Sequence, residues 1–143
     1  MGLFSRKTAA PDEALEALRG EYLNYRRRTA AQLEHAEAEG VKQAVLALLP
    51  VYDDLTHALA APCTDAAYYH GVELVRQKLL AQLAALKVQP MDSLGKCFNP
   101  DYHEAVGHIE DPEKRPEEIV QVAQTGFTMD ESVIRHAKVI VAN

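Results

Sequence analysis

The chain has 143 residues, of which 48% are hydrophobic and 25% are charged, and its formal net charge is −6. This is the composition of a folded protein with room for one modest domain, or for a small domain attached to an elongated helical element. The negative charge argues against a nucleic-acid partner, because phosphate binding uses clustered Lys and Arg, and the one dense basic run, Arg26 to Arg28, is assigned to a solvated or partner-facing helix surface.

The first segment, residues 1–11, is predicted to be a flexible lead. Met1 to Lys7 hold too few apolar residues for a secretory signal, and no stretch is apolar over the thickness of a bilayer. Cys63 and Cys97 are too far apart for a CxxC metal or redox motif, so we expect free thiols. These features together predict a cytoplasmic protein.

A long helix is predicted to begin at Asp12, which follows Pro11 and can cap the free backbone N–H groups. Its apolar or small residues recur every eleven positions, a spacing that keeps one stripe on one side of a nearly straight helix. The stripe is too narrow for an isolated helix, and the same helix from a second copy, parallel about a two-fold axis, is the economical partner. The repeating positions are Leu18, Thr29 and Gly40; Tyr22, Leu33 and Ala44; and Tyr25, Ala36 and Ala47.

Beyond Val41 the apolar spacing changes to alternating threes and fours, which is typical of a helix in a left-handed bundle. Pro50 lies within this stripe and predicts a kink or a break near residues 46–49. A connection over residues 60–65 follows, with Thr64 or Asp65 as the next cap, and then a second helix. Two such helices make half of a four-helix bundle, which a dimer would complete. The two stripes are Val45, Leu48, Tyr52, Leu55 and Leu59, then Tyr68, Val72, Val75, Leu79, Leu83 and Leu86.

From Val88 onward, Gly and Pro break the chain into short pieces, and residues 119–125 and 132–141 are rich in β-branched side chains. We predict one strand in each of these ranges, with residues 126–131 as the turn between them. In the second strand Val133 and Arg135 would share one face, and Ile134 and His136 the other. The predicted fold class is α+β: a lead over 1–11, a helical stalk and bundle over 12–87, and a small, mostly antiparallel β domain over 88–143.

No motif for chemistry is visible. The chain has neither a GxxxxGK[ST] nor a GxGxxG loop, so no direct nucleotide binding is expected. His103 and Glu104 resemble the start of HExxH, but residue 107 is Gly, where the second histidine would stand. A hydrogen-bonding role within its loop is the principal interpretation of His103. We therefore predict no enzyme, no metal and no cofactor.

Two stretches carry a family resemblance. The first runs from Phe98 through Asn99, Pro100, Asp101, Tyr102, His103 and Glu104 to Val106, followed by Gly126 and Phe127, then Ile134, Arg135, Ala137, Val139 and Val141. The second is Tyr25 to Thr29 with Leu48 to Leu55. Together they resemble the signature of the GrpE family, from about Arg19 to the end. The resemblance implies a parallel homodimer that binds the ATPase domain of a DnaK-type chaperone, opens its nucleotide cleft and promotes ADP release in protein folding and the heat-shock response.

The resemblance also implies the site residues. For chaperone binding, or for support of the binding face, they are Phe98, Pro100, Asp101, His103, Gly126, Phe127, Arg135, Val141 and His57. The dimer interface is predicted from the apolar stripes, and the resemblance strengthens close helix packing at Gly71; the interface residues are Leu18, Tyr22, Tyr25, Leu33, Val45, Leu48, Tyr52, Leu55, Gly71, Val72 and Leu79.

Plainer interpretations stand beside these roles. Asn99, Pro100 and Asp101 have the composition of a tight turn, and Arg135 is suited to a salt bridge within the β domain. His35 and His57 stand where many family members carry basic residues, which predicts weaker or pH-sensitive complex formation. Ser132 stands where some members have Arg. The apolar stripe of the stalk has small side chains at Thr29, Ala36 and Gly40, where Leu could stand, and this suggests that the stalk melts reversibly at modest temperature. The alternative function is a dimeric helical adaptor without exchange activity.

Overall fold

The computed structural model describes residues 9–143 of the chain. Helix α1 spans Ala9–Ala60 and helix α2 spans Ala66–Ala85. Since α1 begins at Ala9, Asp12 lies in its first turn and not at its cap. Of the predicted lead, residues 1–11, the first eight lie outside the described part and residues 9–11 belong to α1. Helix α1 continues through Pro50, so the chain does not break there. Across residues 9–143 no helix has both the length and the apolar character needed to cross a bilayer.

The start of α2 follows the predicted capping. Asp65 is the N-cap, with extended backbone, and its Oδ1 accepts hydrogen bonds from the backbone N–H groups of Ala67 and Tyr68, both at 3.0 Å. This satisfies two of the N–H groups that a helix leaves free at its first turn. Residues 61–65 therefore form a short link between α1 and α2.

The chain divides into two compact units, with the boundary between Gly40 and Val41. In the first unit α1 leaves large apolar side chains on its surface, among them Leu18 at 61% and Leu33 at 71% exposure. A salt bridge of 3.3 Å from Arg19 to Glu16 and the stacking of Arg26 over the Tyr22 ring at 6.0 Å are local contacts along the helix. The first unit thus has no core of its own among the described residues.

The second unit contains six strands: β1 (Val88–Pro90), β2 (His103–Ile109), β3 (Ile119–Gln124), β4 (Phe127–Met129), β5 (Ser132–Arg135) and β6 (Ala137–Ala142). They form two three-stranded sheets. The first has the order β1-β4-β5 and is antiparallel; the second has the order β2-β6-β3, with β2 parallel and β3 antiparallel to β6. This confirms the α+β class, with two helices followed by a small β domain.

Two predictions about these strands are wrong. The expected turn over residues 126–131 contains β4, and the expected single strand over residues 132–141 is interrupted at His136, so that β5 and β6 belong to different sheets. As a consequence Ile134 is buried in one core and Ala137 in another, instead of lying on opposite faces of one strand. The chain crosses between the sheets at His136, and strict alternation cannot continue across such a crossing.

The first hydrophobic core joins the helices to the first sheet. Val45, Leu49 and Tyr52 of α1 are buried, and the Tyr52 and Phe127 rings pack in a T-shaped arrangement with their centroids 5.1 Å apart. Val45 and Tyr52 were predicted in the dimer interface, but contacts within the chain bury them. The other buried members are Leu83, Val88 and Ile134, with Val41, Leu79, Leu80 and Met129 packed around them.

The second core lies in the β domain. It consists of Ile119 of β3 with Ala137, Val139 and Val141 of β6, and Met91, Phe98 and Val122 pack against it. Side chains that alternate along β6 point into this core, which explains why Lys138 is exposed between two fully buried neighbours. The loop that contains Phe98 is thereby attached to the sheet.

Candidate functional site

The loop that leads into β2 is a closed hydrogen-bonded turn. Asn99 Oδ1 accepts from the backbone N–H of Asp101 at 2.9 Å, and the Asn99 carbonyl accepts from the N–H groups of Tyr102 at 3.1 Å and His103 at 2.8 Å. This is the turn that the residues Asn99, Pro100 and Asp101 predict. Pro100 and Asp101 are left exposed at its tip.

His103 is fixed by hydrogen bonds on both ring nitrogens. The backbone N–H of Asn99 donates to Nδ1 at 3.0 Å, and Nε2 lies 3.0 Å from Oγ of Ser93, whose residue is only 2% exposed. Because Nδ1 accepts, the neutral ring carries its proton on Nε2 and donates it to Ser93. Burial lowers the pKa of His103 below its ordinary value of 6.5, and the charges of Lys96 and His136 lower it further. His103 therefore has the structural role predicted for it.

Arg135 forms a bidentate ion pair with Asp53 of α1. Arg135 Nη1 donates to Oδ2 of Asp53 at 2.7 Å, and Nη2 donates to Oδ1 at 2.8 Å. The side chains are 15% and 21% exposed, respectively. A salt bridge for Arg135 within the β domain was predicted; the pair instead connects the β domain to a helix, because β5 passes beside the buried face of α1 at Tyr52.

Further groups surround this ion pair. The carbonyl of Thr125 accepts from both Nε and Nη2 of Arg135, at 3.1 and 2.6 Å, and Gln124 Nε2 donates to Oδ2 of Asp53 at 3.0 Å. The guanidinium also lies 5.6 Å from the centroid of the Phe127 ring, a cation–π contact. Sequence reasoning missed the roles of Asp53, Gln124 and Thr125. The available signal was that Asp53 belongs to one family-like stretch and Arg135 to the other.

An open cleft of about 320 Å³ lies next to the ion pair. One wall is the end of α1, with Asp53, Thr56 and His57, and the other is residues 121–125 of β3 and its continuation. Strand β3 is at the edge of its sheet, so this wall presents a strand edge. His57, a predicted chaperone-binding residue, is exposed here, with Nδ1 at 3.3 Å from the carbonyl of Asp53.

The other residues predicted for the binding face differ in exposure. Phe127 and Val141 are buried, and Phe98 is half-buried, so these three support the surface from below. Gly126 is buried as well. A Cβ at Gly126 would lie 2.5 Å from the backbone nitrogen of Ala137 and 2.6 Å from the sulfur of Met91, so only glycine fits. The groups that reach the surface are Pro100, Asp101 and His57.

The residues predicted for a dimer interface also fall into distinct classes. Leu18, Tyr22, Tyr25, Leu33 and Leu48 are more than half exposed, and Leu55, Val72 and Leu79 are half-buried. Gly71 is exposed, and a Cβ there would meet nothing in this chain within 4 Å. Together with the buried Val45 and Tyr52, this leaves the exposed apolar stripe of α1 as the part available to a second copy.

The metal-ligating residue types and the two thiols were the remaining candidates for chemistry. Over residues 9–143 there is no group of three or more His, Cys, Asp or Glu side chains that could hold a metal ion. Cys63 and Cys97 are both exposed free thiols.

Known proteins match this chain over most of its length. The family model described as GrpE matches residues 4–143. Proteins named "Protein GrpE" are 39% identical over 125 residues in Thermus thermophilus, 34% over 129 in Chlorobium luteolum and 36% over 135 in Clostridium acetobutylicum. These alignments cover 87%, 85% and 94% of this chain, and 69%, 65% and 66% of the relatives. The chain thus spans about two thirds of their length, and it belongs to the GrpE family.

Proposed function

We propose that this protein is a nucleotide exchange factor for a DnaK-type chaperone. It binds the ATPase domain of the chaperone, opens the nucleotide cleft and promotes ADP release, without covalent chemistry and without binding nucleotide itself. The observation that carries the proposal is the family match over residues 4–143, which includes both the helices and the β domain. Such a factor acts by binding the open state of its partner more tightly than the closed state, and the difference in affinity sets how far the equilibrium moves.

The proposed contact surface combines the exposed tip of the loop at Pro100 and Asp101 with the end of α1 at His57. The two cores hold these positions, because Phe98 packs against the second core and Tyr52 belongs to the first. His57 lines the cleft opposite residues 121–125.

The proposed active form is a parallel homodimer. Exposed apolar side chains on the first unit of α1 support it, since Leu15, Leu18, Tyr22, Leu23 and Leu33 are each more than half exposed. Burying apolar surface of this kind contributes about 25 cal/mol per Å². A second copy of the same helix would cover these residues, and the exposed Gly71 of α2 would allow a close approach of the bundle helices.

A dimeric helical adaptor without exchange activity is the alternative. Deletion of the β domain from Val88 cannot separate the two functions, because Val88, Phe127 and Ile134 are part of the core that buries α1. Deletion of these residues would leave Val45, Leu49 and Tyr52 of α1 uncovered. Surface substitutions that leave both cores intact are therefore required.

The test is stopped-flow release of a fluorescent ADP analogue from a DnaK-type chaperone, with and without the full chain. We expect acceleration by orders of magnitude, and a large loss of it in Asp101→Lys and His57→Glu, which alter exposed side chains of the proposed surface. Glu113→Lys, an exposed charge change on another loop, is the matched control and should behave like the unmodified chain. Binding without acceleration would favour the adaptor.

A further inference from the structure

The ion pair between Asp53 and Arg135 fixes an angle as well as a distance. It joins α1 to β5 across 82 sequence positions by two short hydrogen bonds. The guanidinium and the carboxylate are both planar, and a bidentate pair holds their planes in one arrangement. Arg135 is also bonded to the Thr125 carbonyl, so that the guanidinium cannot turn without losing further bonds. The orientation of the helix end relative to the sheets is thereby set.

The hydrophobic contacts at the same junction do not set this orientation as sharply. Tyr52 and Phe127 meet edge to face beside the pair, and apolar contact is non-directional compared with a bidentate hydrogen bond. The core thus holds α1 and the β domain together even when the ion pair is removed. The function of the pair can be separated from the stability of the fold.

We propose that Asp53 and Arg135 are positioning residues for nucleotide exchange: they hold the α1 surface and the β-domain surface at the angle that fits only the open chaperone. This inference rests on the proposed function. A factor with a loose junction could follow its partner into the closed state and would bind both states with similar affinity. Since a ligand shifts an equilibrium only by its differential affinity, loss of the pair lowers exchange more than it lowers binding.

The test compares Asp53→Asn, Arg135→Gln and the double variant with the unmodified chain. The quantity measured is the ratio of affinities for the nucleotide-free and the ADP-bound chaperone. We expect each single substitution to lower this ratio by about tenfold, which is within the usual range of coupling between sites. The double variant should lose no more than the singles, because both remove the same interaction. An unchanged ratio in all three variants overturns the inference.

The matched control is Arg115→Gln. Arg115 pairs with Glu118 at 3.2 Å, but both residues belong to the β domain, and Arg115 is 77% exposed. Removing this pair breaks a salt bridge without loosening the junction with α1. The affinity ratio of this variant should equal that of the unmodified chain. A decrease as large as that of Asp53→Asn would mean that any salt bridge has this effect and would overturn the positioning role.

A second measurement needs no chaperone. Residual dipolar couplings report the orientation of α1 residues 41–60 relative to β6. In the unmodified chain, the couplings of the helix and of the strand should fit one shared alignment tensor. In Asp53→Asn the two segments should require separate tensors, because the junction between them is loose. One shared tensor in the variant overturns the inference. If Asp53→Asn does not fold, Asp53→Glu keeps the charge, displaces the carboxylate and should give an intermediate result. If the unmodified chain does not accelerate ADP release from the chaperone, the proposed function is refuted. The dipolar couplings still decide whether the Asp53–Arg135 pair sets the angle between α1 and the β domain.

Discussion

Gly126→Ala is expected to destabilise the second unit strongly. The new Cβ would lie 2.5 Å from the backbone nitrogen of Ala137, 2.6 Å from Met91 Sδ and 2.9 Å from the carbonyl oxygen of Arg135. Two of these atoms belong to the backbone of the crossing between β5 and β6, so they cannot rotate away. The Gly126 carbonyl is in addition bonded to the Met91 N–H at 2.8 Å, which prevents Gly126 from retreating.

The magnitude follows from the distances. To relieve the contact, the distance between the new Cβ and the backbone nitrogen of Ala137 must increase from 2.5 Å to the 3.4 Å of ordinary van der Waals contact. This requires the backbone at Gly126 or at Ala137 to move. We expect a loss of about 3 kcal/mol, the upper part of the usual range for overpacking. For a folded unit of this size, such a loss corresponds to a decrease of roughly 10–20 °C in the midpoint of thermal unfolding.

Urea and thermal unfolding followed by circular dichroism measure this effect. Gly20→Ala is the control, because Gly20 lies in α1 and a Cβ there meets nothing within 4 Å. That variant should be unchanged or slightly more stable, since Ala is the better helix former. If Gly126→Ala unfolds at the same midpoint as the unmodified chain, then Gly126 does not lie as close to the backbone of Arg135 and Ala137 as the structure places it.

Three further predictions concern pH and assembly. The pKa of His103 is lowered in the folded chain, so as pH falls the unfolded chain takes up a proton first. The stability that neutral His103 contributes is therefore complete above pH 6.5 and is lost as pH falls toward the folded-state pKa. The urea midpoint of His103→Gln should vary less with acidic pH than that of the unmodified chain, and an equal pH dependence would contradict this. His57→Arg should accelerate ADP release at about pH 7.5, because arginine adds a permanent positive charge to the proposed surface, and no gain would count against a charge contact there. Leu33→Lys should dissociate the dimer in sedimentation velocity, with Glu37→Gln as a neutral control; a dimer that persists would show that the exposed Leu33 is not covered by a second copy.

The helical half of the fold was largely predictable from the sequence, because its apolar periods are long. The cap at Asp65 and the two helices on either side follow from local residues alone. The pattern also identified Val45 and Tyr52 as buried, but a period shows only which face of a helix is covered. It does not show what covers that face, and here the cover is β1 and β4 of the same chain instead of a second copy.

The β half was less predictable, for two physical reasons. Strands of three residues, such as β1 and β4, are too short to show a period of two. The crossing at His136 lies inside a run of β-branched residues, so nothing in the local composition marks the change of sheet. The ion pair of Asp53 and Arg135 could not be derived locally either, since 82 positions separate its members. The turn at Asn99 and the fixed His103 were predicted because their partners are close in sequence.

The first core has a consequence for how the chain folds as it is synthesised. Val45, Leu49 and Tyr52 remain without their cover until Phe127 and Ile134 have been made, near the end of the chain. At a translation rate of about 5–20 residues per second, that interval is on the order of 10 s. Throughout it, the growing polypeptide carries an apolar helix face that other proteins can capture. A member of a chaperone-associated family would then itself need protection from aggregation while it is being synthesised.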